Sequence, residues 1–399
     1  MKQFLILCIN GALIAVLGLI DSAFGNNMGT DAIIVLASWG TTYYLFNKIA
    51  MLGECCYQCD TEKFTESFII NLITSVLAGI LMISTSNFTA SLFDITGKQY
   101  NLLRICNIIY GLGIPISQIE SIFNKYLVYN NKNKELIGAT FVFYILMISW
   151  DAVVLILKVD CYWLIVGTVI CNLVTDLYYL LICKVYKGFK YPQCNHLKEI
   201  LSKGFFLWIE RIFNAIAYML GTIIASYMGE FEYAIHSVCI GIAGCTEDIT
   251  NQWCQNQIVK LQTVETKNKY KIFKKEMKKT FFPAVIISFI LSLALFFPMK
   301  GELPANITFK FLILYLSQVI LLCPYENYRG LATSLGYTKC MLFNGIIGNI
   351  IRLIWAIICI ITPIGLYGFA FMFGICFSIR GAMYAITIQK RYKDMFINE

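Results

Sequence analysis

Long uninterrupted runs of apolar residues, separated by short polar segments, dominate this chain. A helix needs about 20 mostly apolar residues to cross a bilayer, and the runs have that length. They are continuous and do not alternate in polarity, so they predict membrane helices and not strands. The predicted spans number twelve, at residues 4–24, 29–53, 67–93, 101–128, 136–157, 161–184, 204–228, 231–257, 280–298, 307–334, 339–361 and 365–388.

A short signal recurs about 200 residues apart and suggests an internal repeat. Met28-Gly29, between the first two spans, is echoed by Met228-Gly229 between the seventh and eighth. We therefore expect an all-α fold of two pseudo-symmetric six-helix bundles, at residues 1–190 and 204–399. A basic connector at 191–203 would join them, with a short amphipathic surface helix from His196 to Lys203.

Composition supports a polytopic membrane protein over a soluble one. Of the 399 residues 58% are hydrophobic and 14% are charged, and the mean hydropathy is +0.67. The net charge of +8 lies mostly in alternate loops, and the opposite loops hold only Lys98, Lys158 and Lys300. This asymmetry predicts that both termini are cytoplasmic. The Lys, Ile and Asn bias suggests an AT-rich genome, so we expect the plasma membrane to be a bacterial inner membrane. The first run, with Asn10 and Gly11 inside it, is expected to be a span and not a signal peptide.

Carboxylates inside the spans of the first half indicate a candidate cation site. Asp21 in the first span and Asp151 in the fifth fall at similar depths near the outer side. Ionisable groups within a membrane are costly, so they suggest a functional site. Thr168 and Asn172 of the sixth span lie at a depth that could add neutral oxygens. The alternative is two unrelated acids that snorkel to the surface.

Three further groups of polar residues are candidates for a substrate cleft. Asp176 lies deeper in the sixth span, and either lines a cavity or pairs with a base. Glu210 and Arg211 are adjacent in the seventh span, so one is expected to face a cavity while the other reaches the headgroups. Arg352, near the middle of the eleventh span, requires a partner or an aqueous cavity.

Some charged residues of the second half are expected to form structural pairs. Glu326 and Arg329 are three positions apart at the end of the tenth span, and can meet on one helix face. Arg380 of the twelfth span is expected to pair as well.

The inner half of the eighth span, from Glu247 and Asp248 to Gln257, is too polar to face lipid. It is either a hydrophilic wall of a substrate path or a cytoplasmic continuation of the helix. His236, in the outer half of the same span, is either a packed side chain or a pH-responsive group.

The sixteen cysteines do not predict disulfides, because most fall within spans or at their cytoplasmic ends. Cys55, Cys56 and Cys59 share a predicted side with His196, which leaves a zinc site as an alternative to simple packing. We predict no metal site and no other cofactor. The chain also lacks a GxxxxGK[ST] phosphate loop, so we expect a transporter driven by a gradient and not an enzyme.

Several motifs together resemble the multidrug and toxic compound extrusion (MATE) family, within the superfamily that also includes polysaccharide and lipid-intermediate flippases. The stretches are Ile20-Asp21 followed by Met28-Gly29, Trp150-Asp151, Glu210 with Met228-Gly229, and Tyr328-Arg329-Gly330 through Gly336. The resemblance implies two bundles around a cleft that opens alternately to each side. It also implies export of amphipathic, often cationic compounds in exchange for H⁺ or Na⁺.

Within that resemblance, Asp21 and Asp151 would belong to the cation site, and Glu210 would match an acid that matters in some members. The chain departs from the pattern where Ala152 replaces a common proline and Gln318 stands where some members have an acid. A cation-coupled exporter, acting as a monomer on amphipathic small molecules, is therefore the first hypothesis. The alternative is a flippase for a lipid-linked saccharide or another anionic lipid intermediate. Acids in the cleft would favour the exporter, and arginines would favour the flippase.

Overall fold

The computed structural model describes residues 30–92, 97–192, 197–226, 230–299 and 304–391, and the isolated positions 5, 6, 8, 9, 12, 24, 28 and 228. The regular elements of these residues are helices, which confirms the all-α prediction for the described part of the chain. The helices before residue 192 are α1 Thr30–Ala50, α2 Leu52–Cys59, α3 Phe64–Ser84, α4 Ser86–Ser91, α5 Gly97–Tyr129, α6 Asn133–Leu157 and α7 Tyr162–Leu181, and a 3₁₀ turn follows at Val185–Gly188. Those after residue 196 are α8 Leu197–Ser226, α9 Glu230–Gln262, α10 Thr266–Met299, α11 Ala305–Ser317, α12 Val319–Ser334, α13 Thr338–Ile361, α14 Gly365–Ala370 and α15 Met372–Arg391.

Eight helical stretches of the described residues are long and apolar enough to cross a membrane. They are Phe64–Ser84, Gly97–Tyr129, Asn133–Leu157, Tyr162–Leu181, Thr266–Phe297, Ala305–Ser334, Thr338–Ile361 and Gly365–Lys390. Helices α1, α8 and α9 overlap three further predicted spans, and most of the first predicted span lies outside the described residues. A multi-pass membrane protein is therefore supported, while the count of twelve spans and the pseudo-symmetry stay predictions.

The chain divides into two compact units. The first unit is Leu17–Trp208, and the second is Ile209–Glu399 with Met1–Val16. Among the described N-terminal positions, Cys8 is fully buried in the core of the second unit. The boundary at 208 and 209 falls inside α8, which is one continuous helix. The predicted separate surface helix at 196–203 is therefore wrong, because residues 197–203 form the first turns of α8.

In the first unit, two glycines let the helices α3 and α5 pack closely. A Cβ atom added to Gly79 would lie 2.3 Å from the carbonyl oxygen of Gly111. Small residues at such crossings allow two helix backbones to approach, which is how membrane helices gain dispersion energy without a hydrophobic driving force. Ala78, Met82 and Tyr110 are almost completely buried beside this crossing. Gly79 of α3 thus serves close helix packing.

In the second unit, α9 supplies buried aromatic and aliphatic side chains, while α10 exposes its apolar residues. Trp253 of α9 is fully buried in the same core as Tyr315 of α11. On α10, by contrast, Phe297 is 73% exposed and Ile290 is 63% exposed. Large apolar side chains left this accessible on a long apolar helix are the surface that a bilayer covers. The two helices therefore differ in environment although both were predicted as spans.

A glutamine side chain is inserted into the helical hydrogen bonding of the last predicted span. Gln318 sits at the one-residue interruption between α11 and α12. Its amide nitrogen donates to the carbonyl oxygen of Ala370, and its amide oxygen accepts from the backbone N–H of Gly374. In an uninterrupted helix those two backbone groups, four residues apart, would bond to each other. The side chain thus bridges the interruption at Phe371 between α14 and α15.

We expect Gln318→Leu to lower the free energy of unfolding by about 1–3 kcal/mol, because two buried backbone groups lose their partner. The measurement is denaturant unfolding of the purified protein in detergent. Ser317→Ala is the neighbouring control, since Ser317 donates only to Leu314 within its own helix, and it should change stability by less than about 0.5 kcal/mol. Equal stability of the Leu variant and the parent would contradict the bridging role.

Candidate functional site

A chain of buried amides links three helices of the first unit. Asn71 of α3 donates its side-chain nitrogen to the carbonyl oxygen of Gln118 of α5, at 3.0 Å. Gln118 in turn donates to the side-chain oxygen of Asn47 of α1. The oxygen of Asn71 accepts from the backbone N–H of Glu54, at 3.1 Å. Each buried amide here has partners, so the network stabilises the helix positions.

The same network ends in a buried ion pair. The Oε1 atom of Glu54 lies 3.9 Å from Nζ of Lys125, and the Ser121 hydroxyl donates to Oε2 of Glu54 at 2.5 Å. Glu54 reaches this place because Gly53 lets α2 approach α3: a Cβ atom there would lie 2.1 Å from the carbonyl oxygen of Ser67. This pair was not predicted, because its members are 71 positions apart in the chain and neither lies near the centre of a predicted span.

The predicted cation site is only partly within the described residues. Asp151 of α6 is fully buried, and Asn172 of α7 is also buried. The Thr168 hydroxyl donates within its own helix to the carbonyl oxygen of Leu164, at 3.2 Å. Asp21 lies outside the described residues. The helices α6 and α7 pack directly beside these positions, because a Cβ atom on Gly167 would lie 2.1 Å from the Trp150 ring. A site shared by Asp21 and Asp151 stays a prediction.

Asp176 lies in an acidic neighbourhood of the first unit. It is buried on α7, where it interacts electrostatically with Glu120 of α5. Glu120 accepts a hydrogen bond from the hydroxyl of Tyr179, at 3.3 Å. The buried carboxylates of the described first unit are Glu54, Glu66, Asp151 and Asp176, and Lys125 is its buried base. The interior of the first unit is therefore acidic.

The second unit is built around the buried carboxylate of Glu210. Its Oε1 atom accepts from the Arg380 guanidinium of α15 and, at 2.7 Å, from the side-chain nitrogen of Asn214. Asn214 also bonds to Arg380, at 3.2 Å, and to Asn349 of α13, at 2.6 Å. A carboxylate taken out of water is tolerated only with such charged and hydrogen-bonding partners. The expectation that Arg380 forms a structural pair is confirmed.

A second arginine extends this network to α12. Nη1 of Arg329 donates to both carboxylate oxygens of Glu326, at 3.0 and 3.1 Å, which confirms the predicted pair. Nη2 of Arg329 lies 3.9 Å from Oε2 of Glu210. Arg211 is also buried, so the prediction that one of Glu210 and Arg211 reaches the headgroups is wrong. We refer to Glu210, Asn214, Glu326, Arg329 and Arg380 as the α8–α15 network.

Two glycines of α13 make room for the longest side chains of this network. A Cβ atom on Gly345 would lie 2.6 Å from Cγ of Glu210. One on Gly348 would lie 2.5 Å from Cδ of Arg380. The side chain of Asn344 donates to the backbone oxygen of Arg380, at 2.7 Å. The spacing of Gly345 and Gly348 therefore lets one face of α13 pack closely against the ion pair of Glu210 and Arg380.

Arg352, one turn further along α13, lines a narrow crevice of the second unit. The crevice is also lined by His236, Tyr218 and Phe373. The guanidinium carbon lies 5.0 Å from the centre of the Phe373 ring, a cation–π distance. His236 bonds through Nδ1 to the hydroxyl of Tyr315 and contacts Phe369 edge-on. His236 is thus a packed side chain, which is one of the two alternatives predicted for it.

The polar half of α9 is buried and continues to Gln262. Every residue from Gln252 to Ile258 is buried, which argues against a solvent-exposed continuation of the helix. Glu247 is exposed, and the side chain of Asp248 lies outside the described residues. Of the zinc candidates, the Cys59 thiol lies 3.6 Å from the backbone oxygen of Lys203, and His196 lies outside the described residues. The described side chains include no group of three His, Cys, Asp or Glu that could hold a metal ion.

We expect Glu210→Gln to reduce stability by about 3–5 kcal/mol, because Arg380 would keep its charge in a buried site without a carboxylate. The double variant Glu210→Gln with Arg380→Gln should lose less than the sum of the two single variants. Denaturant unfolding of the four proteins gives the coupling energy as a double-mutant cycle. Additive losses would contradict a direct interaction between the two side chains.

Comparisons with known proteins bear on the family. A family model described as "Polysaccharide biosynthesis protein" matches residues 57–258, which is half of the chain. The comparison with curated proteins found no match.

Solved structures match over nearly the whole chain. A MATE in complex with MaD5 has a TM-score of 0.78 at 15% identity, covering 99% of this chain and 96% of that one. A transporter of the MOP superfamily from Pyrococcus furiosus has a TM-score of 0.76 at 15% identity, with coverages of 99% and 96%. The binding pocket of that protein is described as having reverse polarity, which suggests a different function for it. An outward-facing multidrug resistance MATE transporter has a TM-score of 0.75 at 15% identity, with the same coverages.

Identity this low establishes the fold alone, and that fold is one of multi-pass membrane transport proteins. Together with the family match, it confirms the superfamily indicated by the sequence motifs. The chain belongs to the polysaccharide biosynthesis protein family, within the multidrug/oligosaccharidyl-lipid/polysaccharide flippase superfamily.

Proposed function

We propose that this transporter moves a lipid-linked saccharide, or a related anionic lipid intermediate, across the membrane. The observation that carries the proposal is the buried charge of the second unit. Its buried bases are Arg211, Lys269, Arg329, Arg352 and Arg380, and its buried carboxylates among the described side chains are Glu210 and Glu326. Among the described buried side chains of this unit, bases therefore outnumber carboxylates, and a buried excess of positive charge favours an anionic ligand.

The chemistry of guanidinium groups fits the phosphate of such a substrate. Arginine presents planar N–H donors that match phosphate oxygens in pairs, and it is less strongly hydrated than lysine. The guanidinium carbon of Arg352 lies 5.0 Å from the centre of the Phe373 ring, so a cation–π contact helps to hold this group in place. The neighbouring bases Arg329 and Arg380 are held by the α8–α15 network. We assign Arg352 to the substrate phosphate because it lines the crevice of the second unit beside His236 and Phe373.

The family match supports the same class of substrate. The model of a polysaccharide biosynthesis family covers Glu66, Asp151 and Asp176 of the first unit and most of α9. Moving a lipid-linked saccharide requires passage for a large polar headgroup while its chain stays in lipid. The buried polar side chains of both units, unusual for spans that only need to be stable, suit that passage.

We expect Arg352→Gln to slow transport of a fluorescent polyprenyl-pyrophosphoryl saccharide by at least about tenfold, since charge-assisted hydrogen bonds contribute about 1.5–3 kcal/mol each. Transport is measured in proteoliposomes, as the fraction of label that membrane-impermeant dithionite can quench over time. Arg352→Lys retains the charge but loses the paired donors, so its rate should lie between those of the parent and the Gln variant.

The matched control is Arg104→Gln, which removes the same charge from an exposed position on α5 of the first unit. Its rate should equal that of the parent. Parental transport by Arg352→Gln, or equal slowing by both Gln variants, would count against the assigned role.

The acidic interior of the first unit favours coupling of transport to H⁺ or Na⁺. Such coupling fits a second candidate function, the export of amphipathic cations, and it fits a cation-driven flippase equally well. A buried carboxylate can exchange H⁺ or Na⁺ when the site opens to one side and then the other. Asp151 is fully buried and belongs to the sequence motif Trp150-Asp151. We therefore propose that H⁺ or Na⁺ binds at Asp151 and couples to transport. We also propose that the protein lies in a plasma membrane with both termini on the cytoplasmic side.

We expect Asp151→Asn to abolish the acceleration of transport by an imposed H⁺ or Na⁺ gradient, because an amide cannot change its charge. Slow transport without a gradient should remain. The same proteoliposomes, loaded in parallel with a fluorescent organic cation, report whether saccharide lipid or cation is the driven substrate. Asp160→Asn is the control, since Asp160 pairs with exposed Lys98 at 3.5 Å. A gradient response that survives in Asp151→Asn would exclude this residue from coupling.

A further inference from the structure

Two cysteines of the first unit face each other where α5 and α7 pack together. Cys106 is 0% exposed and Cys161 is 2% exposed, and both belong to one apolar core. Their thiol groups are within hydrogen-bonding reach of each other. A thiol is only a weak hydrogen-bond donor and acceptor, so this contact by itself contributes little to stability. Two thiols that face each other are also the groups from which a disulfide forms.

The packing of the two helices explains why the thiols meet. Farther along the same crossing, a Cβ atom on Gly113 of α5 would lie 2.3 Å from Cγ2 of Val169 of α7. The rings of Phe123 and Tyr179 follow, with their centres 6.0 Å apart. The members of the cysteine pair are 55 positions apart in the chain, and those of the other two pairs are 56 apart. The two helices therefore run parallel in a constant register that brings the cysteines together.

The cysteine pair lies at the end of the unit that is predicted to face away from the cytoplasm. Asp160, the residue before Cys161, pairs with Lys98 near the start of α5 at 3.5 Å, and both charged side chains are exposed. Lys98 and Lys158 belong to the loops that the charge asymmetry assigns to the outer side. Disulfides form and persist in compartments outside the cytoplasm. The inference rests on the proposed orientation, and it holds for either class of transported substrate.

We propose that Cys106 and Cys161 form a disulfide that joins the outer ends of α5 and α7. Closing the bond requires the two sulfur atoms to approach to about 2.05 Å. Cys161 can make this movement, because it precedes the first residue of α7 and helix ends open easily. The sequence did not predict this bond, because Cys106 lies within a predicted span.

The oxidant is a disulfide of the compartment outside the membrane, carried by a protein or by a small molecule. The thiolate of Cys161 attacks one sulfur of that disulfide and releases the first thiol of the oxidant. The thiolate of Cys106 then attacks the sulfur of Cys161 and releases the second thiol. The protein gains one S–S bond and loses two electrons and two protons, and the oxidant gains them as it becomes two thiols.

The oxidation state can be read from the full-length protein in membranes of a bacterial host that has an oxidising periplasm. Acid quenching is followed by alkylation of free thiols with N-ethylmaleimide, reduction, and alkylation of the newly released thiols with iodoacetamide. Peptide mass spectrometry then reports which label each cysteine carries. Cys56 and Cys59 are the internal control, because they have a CxxC spacing at the end of the unit that is predicted to face the cytoplasm.

We expect Cys106 and Cys161 to carry the iodoacetamide label, and Cys56 and Cys59 to carry the maleimide label. Maleimide on Cys106 and Cys161 would overturn the proposal. Iodoacetamide on all four cysteines would also count against it, because such oxidation would not distinguish the two sides of the membrane.

A second measurement follows thermal stability of the purified protein in detergent. Adding a phosphine reductant should lower the thermal midpoint of the parent by roughly 4 °C or more, because the unfolded chain regains freedom when a 55-residue loop opens. Cys106→Ala cannot form the bond, so the reductant should leave its midpoint unchanged. Cys254→Ala removes a fully buried thiol of the second unit and should keep the parental shift. A parent without a shift, or an equal shift in Cys106→Ala, would contradict the disulfide.

A wrong orientation would be recognised separately. Lys187 is exposed in the turn at Val185–Gly188, which is predicted to be cytoplasmic, so Lys187→Cys should resist a membrane-impermeant maleimide added to intact spheroplasts. Labelling of this residue would overturn the proposed orientation. The alkylation pattern and the response to reductant would still decide whether the bond between α5 and α7 exists.

Discussion

The second unit depends on one requirement, which is that the buried carboxylate of Glu210 must be met by positive charge. Removing an ion from water costs several kcal/mol even after the protein relaxes. The guanidinium of Arg380 and, at 3.9 Å, that of Arg329 supply the compensation. Their positions require a glycine at 345 and at 348, an amide at 214, and helices drawn from segments far apart in the chain. The packing of α8, α12, α13 and α15 thus follows from electrostatics as much as from apolar burial.

The two units share a helical architecture but differ in the sign of their buried charge. The first unit places Glu54, Asp151 and Asp176 inside with Lys125, and amides connect its helices. The second places arginines inside and holds most of them against carboxylates and aromatic rings. The fold is shared with MATE structures at 15% identity, and a likeness this distant does not determine which side chains line the interior. Because function resides in the site and not in the fold, the arginines weigh more than the fold in the choice of substrate.

The sequence was informative where structure is local. The helical segments follow from apolar runs, and the pair of Glu326 with Arg329 follows from a spacing of three. Glu210 and Arg380 are 170 positions apart, so their contact depends on tertiary packing that no periodicity encodes. Gln318 bridges Ala370 and Gly374 for the same reason, although its departure from the family pattern marked the position. The start of α8 was misjudged because basic residues at 198 and 203 suggested a surface segment, whereas helix propensity continues through them.

The polar half of α9 also has a consequence for how the protein is made. Its amide side chains would be unfavourable in contact with lipid, and they are buried in the protein together with Trp253. By composition, α9 is not among the described stretches that are apolar enough to cross a membrane. It reaches a suitable environment only when α12 is present, and Gly330 is what lets the two backbones meet. Chain synthesis adds about 5–20 residues per second, so α12 follows Gln257 by roughly 4–14 seconds. During that interval α9 must wait at the interface or beside the insertion machinery, so its correct placement depends on a helix that is synthesised later.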